Sequence, residues 1–539
     1  MNYIYICIFK NKLVYIQEFK RNNKGKISIS TLLVESYREN GKQKRRTIAN
    51  LTKVPKRYLK PFKALIKNKE LTDLSELTIE QGKSIGALYV LNHLAKEIGL
   101  DKVLGNSKNA KLALLQIINK IISPCSRLAI LESFSTHQAI EHVLKLDSFS
   151  LDDLYYNLEW LCENQQRIED GLFKIQNKEA STVYLYDVTS SYLEGEFNEL
   201  ADYGYNRDGK KGKKQIVIGL LTDKDGDPFS IEVFQGNTSD TKTFKNQLVK
   251  LKNRFKVKKV VCVGDKGMIK SAQIKDIDQL DFHYITSITK VQITTLLKHD
   301  KVSLELFDKD LTEIELQGTR YILRKNPTRE LEIQTNREQK LEKIKQLKDK
   351  KNAYLLSHPR AKATIAQKDI EKVITKLKLN KWLSCQIEKE KLVLKTDQAK
   401  LEGTSQLDGC YVLKTDLKQT DADKETIHKH YKQLSKVEYA FRTIKTTLLE
   451  VRPIFLRKEK RTKGHVFACM LAYKLTKYMM DKIGTQLDFT KDHVINSLNT
   501  IQYLLHCYNE IKIKRIPDTL LPEQQKILNA LNITLPRRL

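Results

Sequence analysis

The chain has 539 residues, too many for a single hydrophobic core and enough for three or four domains at roughly 100 to 200 residues each. Lys and Arg outnumber Asp and Glu by 96 to 65, a formal charge of +31, which points to a polyanionic partner, nucleic acid ahead of an acidic membrane, and leaves the chemistry open. Eight cysteines without a paired short spacing argue against a zinc site or a disulfide framework, and no stretch approaches the roughly 18 apolar residues of a membrane span, so a soluble, cytoplasmic protein with no membrane partner is expected.

Residues 1–55 alternate in short β-like runs ("NYIYICIF", "KLVYIQEF", "ISISTLLVESYR") and finish in "ENGKQKRRTIANL", a turn and a basic cluster, which reads as a small β-rich basic module. Residues 56–178 are helical: "SIGALYVLNHLAKEIGL", "NAKLALLQIINKIIS" and "LDDLYYNLEWLCENQQRIEDGLFKIQ" carry apolar residues at three- and four-residue spacing. This region is expected to bind DNA ends or to link. Periodicity reports only burial, so no recognition helix can be named.

From 179 to 290 the period changes. "STVYLYDVTSSYL", "KKQIVIGLLTD" and "FSIEVFQGN" predict three strands, followed by a helix, the strand "VKKVVCVGDKGM", a second helix and the strand "FHYITSIT". "DKDGDP" makes strands two and three a hairpin, so the sheet is mixed. Residues 291–410 hold further short strands ("VSLELF", "TEIELQ", "RYILRK") and a charge-rich helical stretch. Residues 411–480 begin with the strand "DGCYVLKTDL" and continue in helices, the first being "ETIHKHYKQLSKVEYAFRTIKTTL"; 481–539 reads as helical.

Two strands of the mixed sheet end on acids, Asp187 after "VYLY" and Asp265 after "VVCVG". If the strands are neighbours, both carboxylates converge at the edge where α/β folds place their sites. Such a pair repels unless a cation sits between, and Mg²⁺ with its hard oxygen ligands suits it. In "YKQLSKVEYAFRTIK", Val437, Phe441, Ile444 and Leu448 can form a buried helix face while Glu438, Arg442 and Lys445 share a neighbouring one. One acid beside two cations suits phosphoryl transfer in nucleic acid with two metal ions. A plain Glu–Arg pair on a surface helix remains the alternative at this level.

The order of strands, the stretch "YNRDGKKGKKQIVIGLLTDKDGDPFSIEVFQGNTSDTKTF", the "GDKGM" after the fourth strand and "YKQLSKVEYAFRTIK" resemble DDE transposases of bacterial insertion sequences, in particular the group with a β-rich insertion between the second Asp and the Glu. That group carries a helical signature of Tyr, Arg, Glu and Lys. Tyr431, Glu438 and Lys445 match it, while Leu434 stands where the Arg is usual, and Arg442 is the substitute for the lost phosphate contact. The likeness runs from about residue 30 to 480 and includes Gly464 and His465 after Arg452 and Pro453.

The resemblance implies a ribonuclease-H-like, retroviral-integrase-like core in two parts, 179–290 and 411–480, interrupted by an insertion domain at 291–410 and flanked by helical terminal regions. It implies Asp187, Asp265 and Glu438 as the catalytic, metal-binding triad, holding two Mg²⁺ ions for which Mn²⁺ substitutes, and Tyr431, Arg442 and Lys445 as DNA contacts. The expected reaction is cleavage at terminal inverted repeats of double-stranded DNA and transfer of the 3′-hydroxyl ends to target DNA, by at least a homodimer. Arg207, Lys210, Lys211, Lys213 and Lys214, with Asn206 and Asp208, lie in a glycine-bearing loop expected to touch the DNA backbone.

Asn237 and Asp240 are read as a turn and a helix cap, His465 as a hydrogen-bonded structural histidine, and Trp160 and Trp382 as packing residues. Two other readings stay open on sequence: a catalytically silent DNA-binding relative, and a haloacid-dehalogenase-like phosphatase built on "YDVTS", in which Thr189 stands where that fold wants a second acid.

Overall fold

Alternating β-branched and polar residues build an antiparallel three-stranded sheet from β1 (Leu13–Asn23), β2 (Lys26–Glu39) and β3 (Lys42–Asn50), in that order. The basic cluster expected to follow a turn is itself strand β3: Asn40 and Gly41 make the turn with positive φ, after which Arg46 pairs with Glu35 and lies 5.7 Å over the Tyr37 ring. The structure is a computed structural model that describes residues 13–23, 26–66, 78–176, 182–205, 207, 209–210, 212–257, 260–445, 449, 451–452, 454–484, 486–508 and 511–539. Leu448, Asn206, Asp208, Lys211 and Pro453 therefore lie outside the described residues.

Two compact units divide the chain, Met1–Gln81 with Leu504–Arg515, and Gly82–Tyr503 with Ile516–Leu539. In the first, helix Lys56–Ile66 follows the sheet and its Lys63 bonds Glu18 at 3.0 Å. Strand β4 (Thr78–Ser84) interrupts the region expected to be wholly helical. In the second unit, helices Gly86–Glu97, Lys108–Ile122 and Leu151–Ile175 share one core with the long helix Glu459–Gly484. Among the described residues no single helix is long and apolar enough to cross a membrane.

The main sheet has eight strands: β5 (Val183–Tyr192), β6 (Gln215–Asp223), β7 (Pro228–Phe234), β8 (Val261–Gly264), β9 (His283–Ser287), β10 (Thr312–Leu316), β11 (Thr319–Lys325) and β14 (Cys410–Thr415). Their order is β10-β11-β14-β9-β8-β5-β6-β7. Strands β5 to β7 form an antiparallel meander, β8 and β9 run parallel to β5, and β14, β11 and β10 continue antiparallel. The sheet is mixed, and "DKDGDP" closes the β6–β7 hairpin with Gly226 at positive φ. Every residue of β6 is buried, as an apolar run covered on both faces requires.

Strand alternation sorts β5 onto those two faces. Tyr184, Tyr186 and Val188 enter a core with Phe229, Phe244 and Phe255, whereas Val183 and Leu185 join Val437, Phe441 and Ile444 on the opposite side. Asp187 belongs by periodicity to the second face, which helix Leu434–Lys445 covers.

The region 291–410 is not one inserted body. β10 and β11 extend the main sheet because Ile322 pairs with Leu413, both fully buried. "VSLELF", expected as a strand, instead forms a short 3₁₀ turn, Leu304–Phe307. The remainder folds around its own core of Ile344, Ile370, Ile374, Trp382 and Leu392: helix Pro327–Ser357, helix Ala363–Lys376, the hairpin β12 (Leu383–Glu388) and β13 (Lys391–Thr396), and helix Gln398–Ser405. Helix Pro327–Ser357 buries only Ile344 among its residues, which agrees with its charge-rich sequence. The C-terminal region is also not wholly helical: β15 (Gln502–Tyr508) and β16 (Ile511–Arg515) complete a three-stranded sheet with β4.

Candidate active site

Asp187 is the fifth residue of β5, not its last, because β5 pairs with β6 along its length while its parallel pairing with β8 stops at Leu185 opposite Val263. Carried two residues forward, that register sets Asp187 level with Asp265, the residue after β8. The aspartates thus sit where the parallel ladder opens, the edge at which α/β sheets collect ligands. Asp265 starts a tight turn whose carbonyl accepts from the backbone of Met268 at 2.9 Å and Ile269 at 3.1 Å.

Glu438 arrives from the helix on the same face of β5. Val437, Phe441 and Ile444 bury one side of Leu434–Lys445 and leave Glu438 and Arg442 exposed. Asp187, Asp265 and Glu438 line one cavity of about 480 Å³. Arg207, Arg442 and Lys445 line it too, so six residues singled out on sequence meet at one place. Burial, reinforced by the charges of Glu438 and Asp265, pushes the Asp187 carboxyl up to about 7, against the pull of the Val188 amide and Arg207.

Among the described residues, no three His, Cys, Asp or Glu side chains are gathered tightly enough to hold a metal ion, so the three acids share a cavity without forming a closed cage. Their chemistry nevertheless suits a hard divalent cation: carboxylate oxygens only, with the most buried one carrying a pKa raised by burial and by the other two, a penalty that a cation removes.

The cations are individually held. Lys445 Nζ donates to Thr189 Oγ1 at 2.9 Å and to the Ser190 carbonyl at 2.7 Å, tying its helix to β5 beside Asp187. Arg442 lies 5.5 Å over the Tyr439 ring. Arg207 pairs with Asp240, and its backbone N–H donates to Ser190 Oγ at 3.0 Å. Tyr431 is half-buried, its hydroxyl bonded to Ser287 and its pKa pushed up to about 12, first by burial and further by the charges of Asp265 and Glu438.

Lys210, Lys213 and Lys214 do not line the cavity. Lys210 lies 5.9 Å over Tyr192, Lys213 pairs with Glu194 at 3.3 Å, and Lys214 lies 5.9 Å over Tyr203. Lys211, also expected at the DNA backbone, is outside the described residues.

Two lining residues escaped the sequence reading. Asp240, expected as a helix cap, follows the Ser239 cap position and turns into the cavity toward Arg207. Arg452 lines the cavity and lies 4.9 Å over Tyr192, and its only sequence signal was the "RP" it opens. His465 is structural, as expected: Arg127 donates to its Nδ1 at 2.8 Å, its Nε2 reaches the Val451 carbonyl at 3.1 Å, and burial holds its pKa well below the usual imidazole range.

The family model described as the transposase DDE domain matches residues 178–475, and the model for the N-terminal domain of IS1634 family transposases matches residues 16–74. No curated protein matches. Among solved structures, the cryo-EM structure of a piggyBac transposase synaptic complex with hairpin DNA shares 7% identity over 77% of this chain and 76% of that one, with a TM-score of 0.36, a level that says nothing about individual residues.

Proposed function

The chain belongs to the transposase DDE-domain family and is an insertion-sequence transposase; from that premise we propose that Asp187, Asp265 and Glu438 are its catalytic acids, in a ribonuclease-H-like core, and that it cuts DNA at terminal inverted repeats and joins the freed 3′-hydroxyls to target DNA. The observation that carries this is the convergence of the three acids in one cavity edged by four cations, Arg207, Arg442, Lys445 and Arg452.

The acids would hold two Mg²⁺ ions, with Mn²⁺ as a substitute; bound there, such ions activate the attacking oxygen and stabilise the leaving one. Asp187 anchors the floor from the rigid strand, and Asp265 stands level with it on the parallel neighbour. Glu438 comes from a helix that Lys445 pins to β5, which fixes its approach. Arg442, over the Tyr439 ring, and Arg452, over the Tyr192 ring, both line the cavity and would grip the phosphates flanking the cut. Each protomer supplies one such cavity, and pairing two DNA ends calls for at least a homodimer. A phosphatase of the haloacid-dehalogenase type is disfavoured, since that fold wants a second acid where Thr189 stands, and Thr189 instead accepts from Lys445.

Purified protein incubated with inverted-repeat DNA and Mg²⁺ is expected to nick it and transfer the ends. Asp187→Asn, Asp265→Asn and Glu438→Gln should each lower cleavage at least a thousandfold, roughly the scale of losing a group that acts only in the transition state, while DNA binding persists. Normal cutting by any of the three would remove that residue from the assignment.

A further inference from the structure

Arg127 is buried against helix Glu459–Gly484, 9% exposed, and among the described residues it has no carboxylate partner. Its hydrogen bonds go to two uncharged side chains: Nε donates to Gln116 Oε1 at 3.2 Å and Nη2 to His465 Nδ1 at 2.8 Å. A cation taken out of water without a counter-ion is expensive, so its presence calls for a use that a neutral residue would not serve.

A guanidinium carries N–H donors and no acceptor, so every atom it reaches must accept. Gln116 therefore turns its oxygen to Arg127, which leaves Nε2 to donate to Asn157 Oδ1 at 2.9 Å and to the Leu154 carbonyl at 3.2 Å, and Asn157 Nδ2 donates in turn to the Asn109 carbonyl at 2.7 Å. On the other side His465 must present a bare Nδ1. Burial keeps this imidazole neutral, so its one proton sits on Nε2 and is donated to the Val451 carbonyl at 3.1 Å. A neutral imidazole without such a neighbour carries its proton on either nitrogen, and the other tautomer would set a lone pair against that carbonyl.

We propose that Arg127 is a positioning residue for Arg452, acting through His465: it locks the imidazole in the tautomer that holds the Val451 carbonyl, and so aims the Arg452 guanidinium at a phosphate in the acid cavity. The Val451 carbonyl and the Arg452 amide belong to one planar peptide unit, so the bond from His465 fixes the plane from which Arg452 departs. Val451 is held from its other side by its N–H on the Ile444 carbonyl, 3.0 Å away in the helix that carries Glu438, and Pro453, next in sequence, narrows the backbone of Arg452 further. Arg452 itself reaches the cavity over the Tyr192 ring, with Nε 3.4 Å from the Lys445 carbonyl. Without Arg127 the imidazole is free to turn its lone pair to the Val451 carbonyl, the peptide swings away, and Arg452 is misplaced while the three acids stay where they are. The inference rests on the assignment of the acid cavity as the cutting site and of Arg452 as a phosphate contact there.

Full-length wild type, Arg452→Ala, Arg127→Met and the double variant are compared for cleavage of inverted-repeat DNA in Mg²⁺ and for the salt dependence of DNA binding, with thermal midpoints as the check on folding. Arg127→Met should slow cleavage roughly ten- to a hundredfold, the scale of a contact misplaced from a distance. It should also flatten the slope of log affinity against log salt by about 0.9, one phosphate contact, as Arg452→Ala does. In the Arg452→Ala background Arg127→Met should cost nothing further on either measure, because both changes remove the same contact. Arg127→Lys, charged and donor-only like the native residue, should regain part of the loss. If Arg127→Met does not fold, Arg127→Lys carries the comparison: cutting like wild type, or a loss that vanishes in the Arg452→Ala background, supports the role, and a loss that persists there overturns it. Equal losses from Arg127→Met with and without Arg452, or an unchanged salt slope, would make Arg127 a packing residue and end the proposal. Arg452→Ala that cuts and binds like wild type would also end it while leaving the acids in place, whereas a wild type that never cuts would take the acid-site assignment down as well.

Discussion

Between pH 4 and 7 the Asp187 carboxyl is expected to make the cation-free protein progressively less stable. Its pKa in the fold, pushed up to about 7, lies above the roughly 3.9 of an unfolded aspartate, so the folded state binds the proton more tightly. The stabilising proton is fully present below pH 4 and is lost as pH rises through 7. Asp187→Asn removes this dependence and should raise stability at pH 7.5 by about 1 to 3 kcal/mol, allowing ~1.4 kcal/mol per pKa unit and discounting for partial exposure, while cleavage disappears. Denaturation of both proteins in chelator at pH 4.5 and 7.5 measures it; a wild type no less stable than the variant at pH 7.5 would mean the cavity does not strain this carboxylate. Residues of this kind were legible in the sequence because Asp187 breaks the apolar alternation of "VYLYDVTSSY". Asp240 was not, since "GNTSD" reads equally as a capped turn, and only the packing of the loop that carries Arg207 shows that its carboxylate faces the acids.

At the scale of elements, the helix that carries Glu438 keeps its place because the layer behind it is tightly crossed. Helices Leu151–Ile175 and Glu459–Gly484 meet at Gly464, where a Cβ would lie 1.9 Å from the Leu158 carbonyl oxygen. Gly464→Ala must push the two backbones apart, at a cost of about 2 to 3 kcal/mol; a thermal midpoint within a degree of wild type would show that the crossing has slack. Because His465, next in sequence, bonds the Val451 carbonyl beside Arg452, the variant should also weaken cleavage before it unfolds the protein. Element type was readable wherever periodicity was strong, as in β5 to β9 and the helices around Glu438. Pairing was not readable where it depends on distant partners: "TEIELQ" and "RYILRK" announce a hairpin, but nothing local says that it docks on β14 and widens the main sheet. Short runs failed for a related reason, since "VSLELF" is apolar enough for a strand yet has no neighbour to pair with and coils into a 3₁₀ turn.

For the molecule as a whole, an excess of 31 positive charges draws it to DNA without regard to sequence. Against that field, acids collected at one point are conspicuous, and the second acidic spacing, from Asp265 to Glu438, is long because the intervening chain both adds strands to the sheet and includes a segment that folds around its own core. The ordered motifs made the family readable over much of the chain, and the family models match it over residues 16–74 and 178–475. The architecture of the C-terminal region was not readable, because "KIKRI" alternates too briefly to be told from the end of a helix. When DNA is bound, divalent ions are expected to sit between Asp187, Asp265 and Glu438. Anomalous scattering from Mn²⁺ in crystals of the protein with a pre-cut inverted-repeat end should give density within bonding distance of Asp187, Asp265 and Glu438 together. Mn²⁺ density elsewhere, or at the two aspartates with Glu438 turned away, would contradict the account.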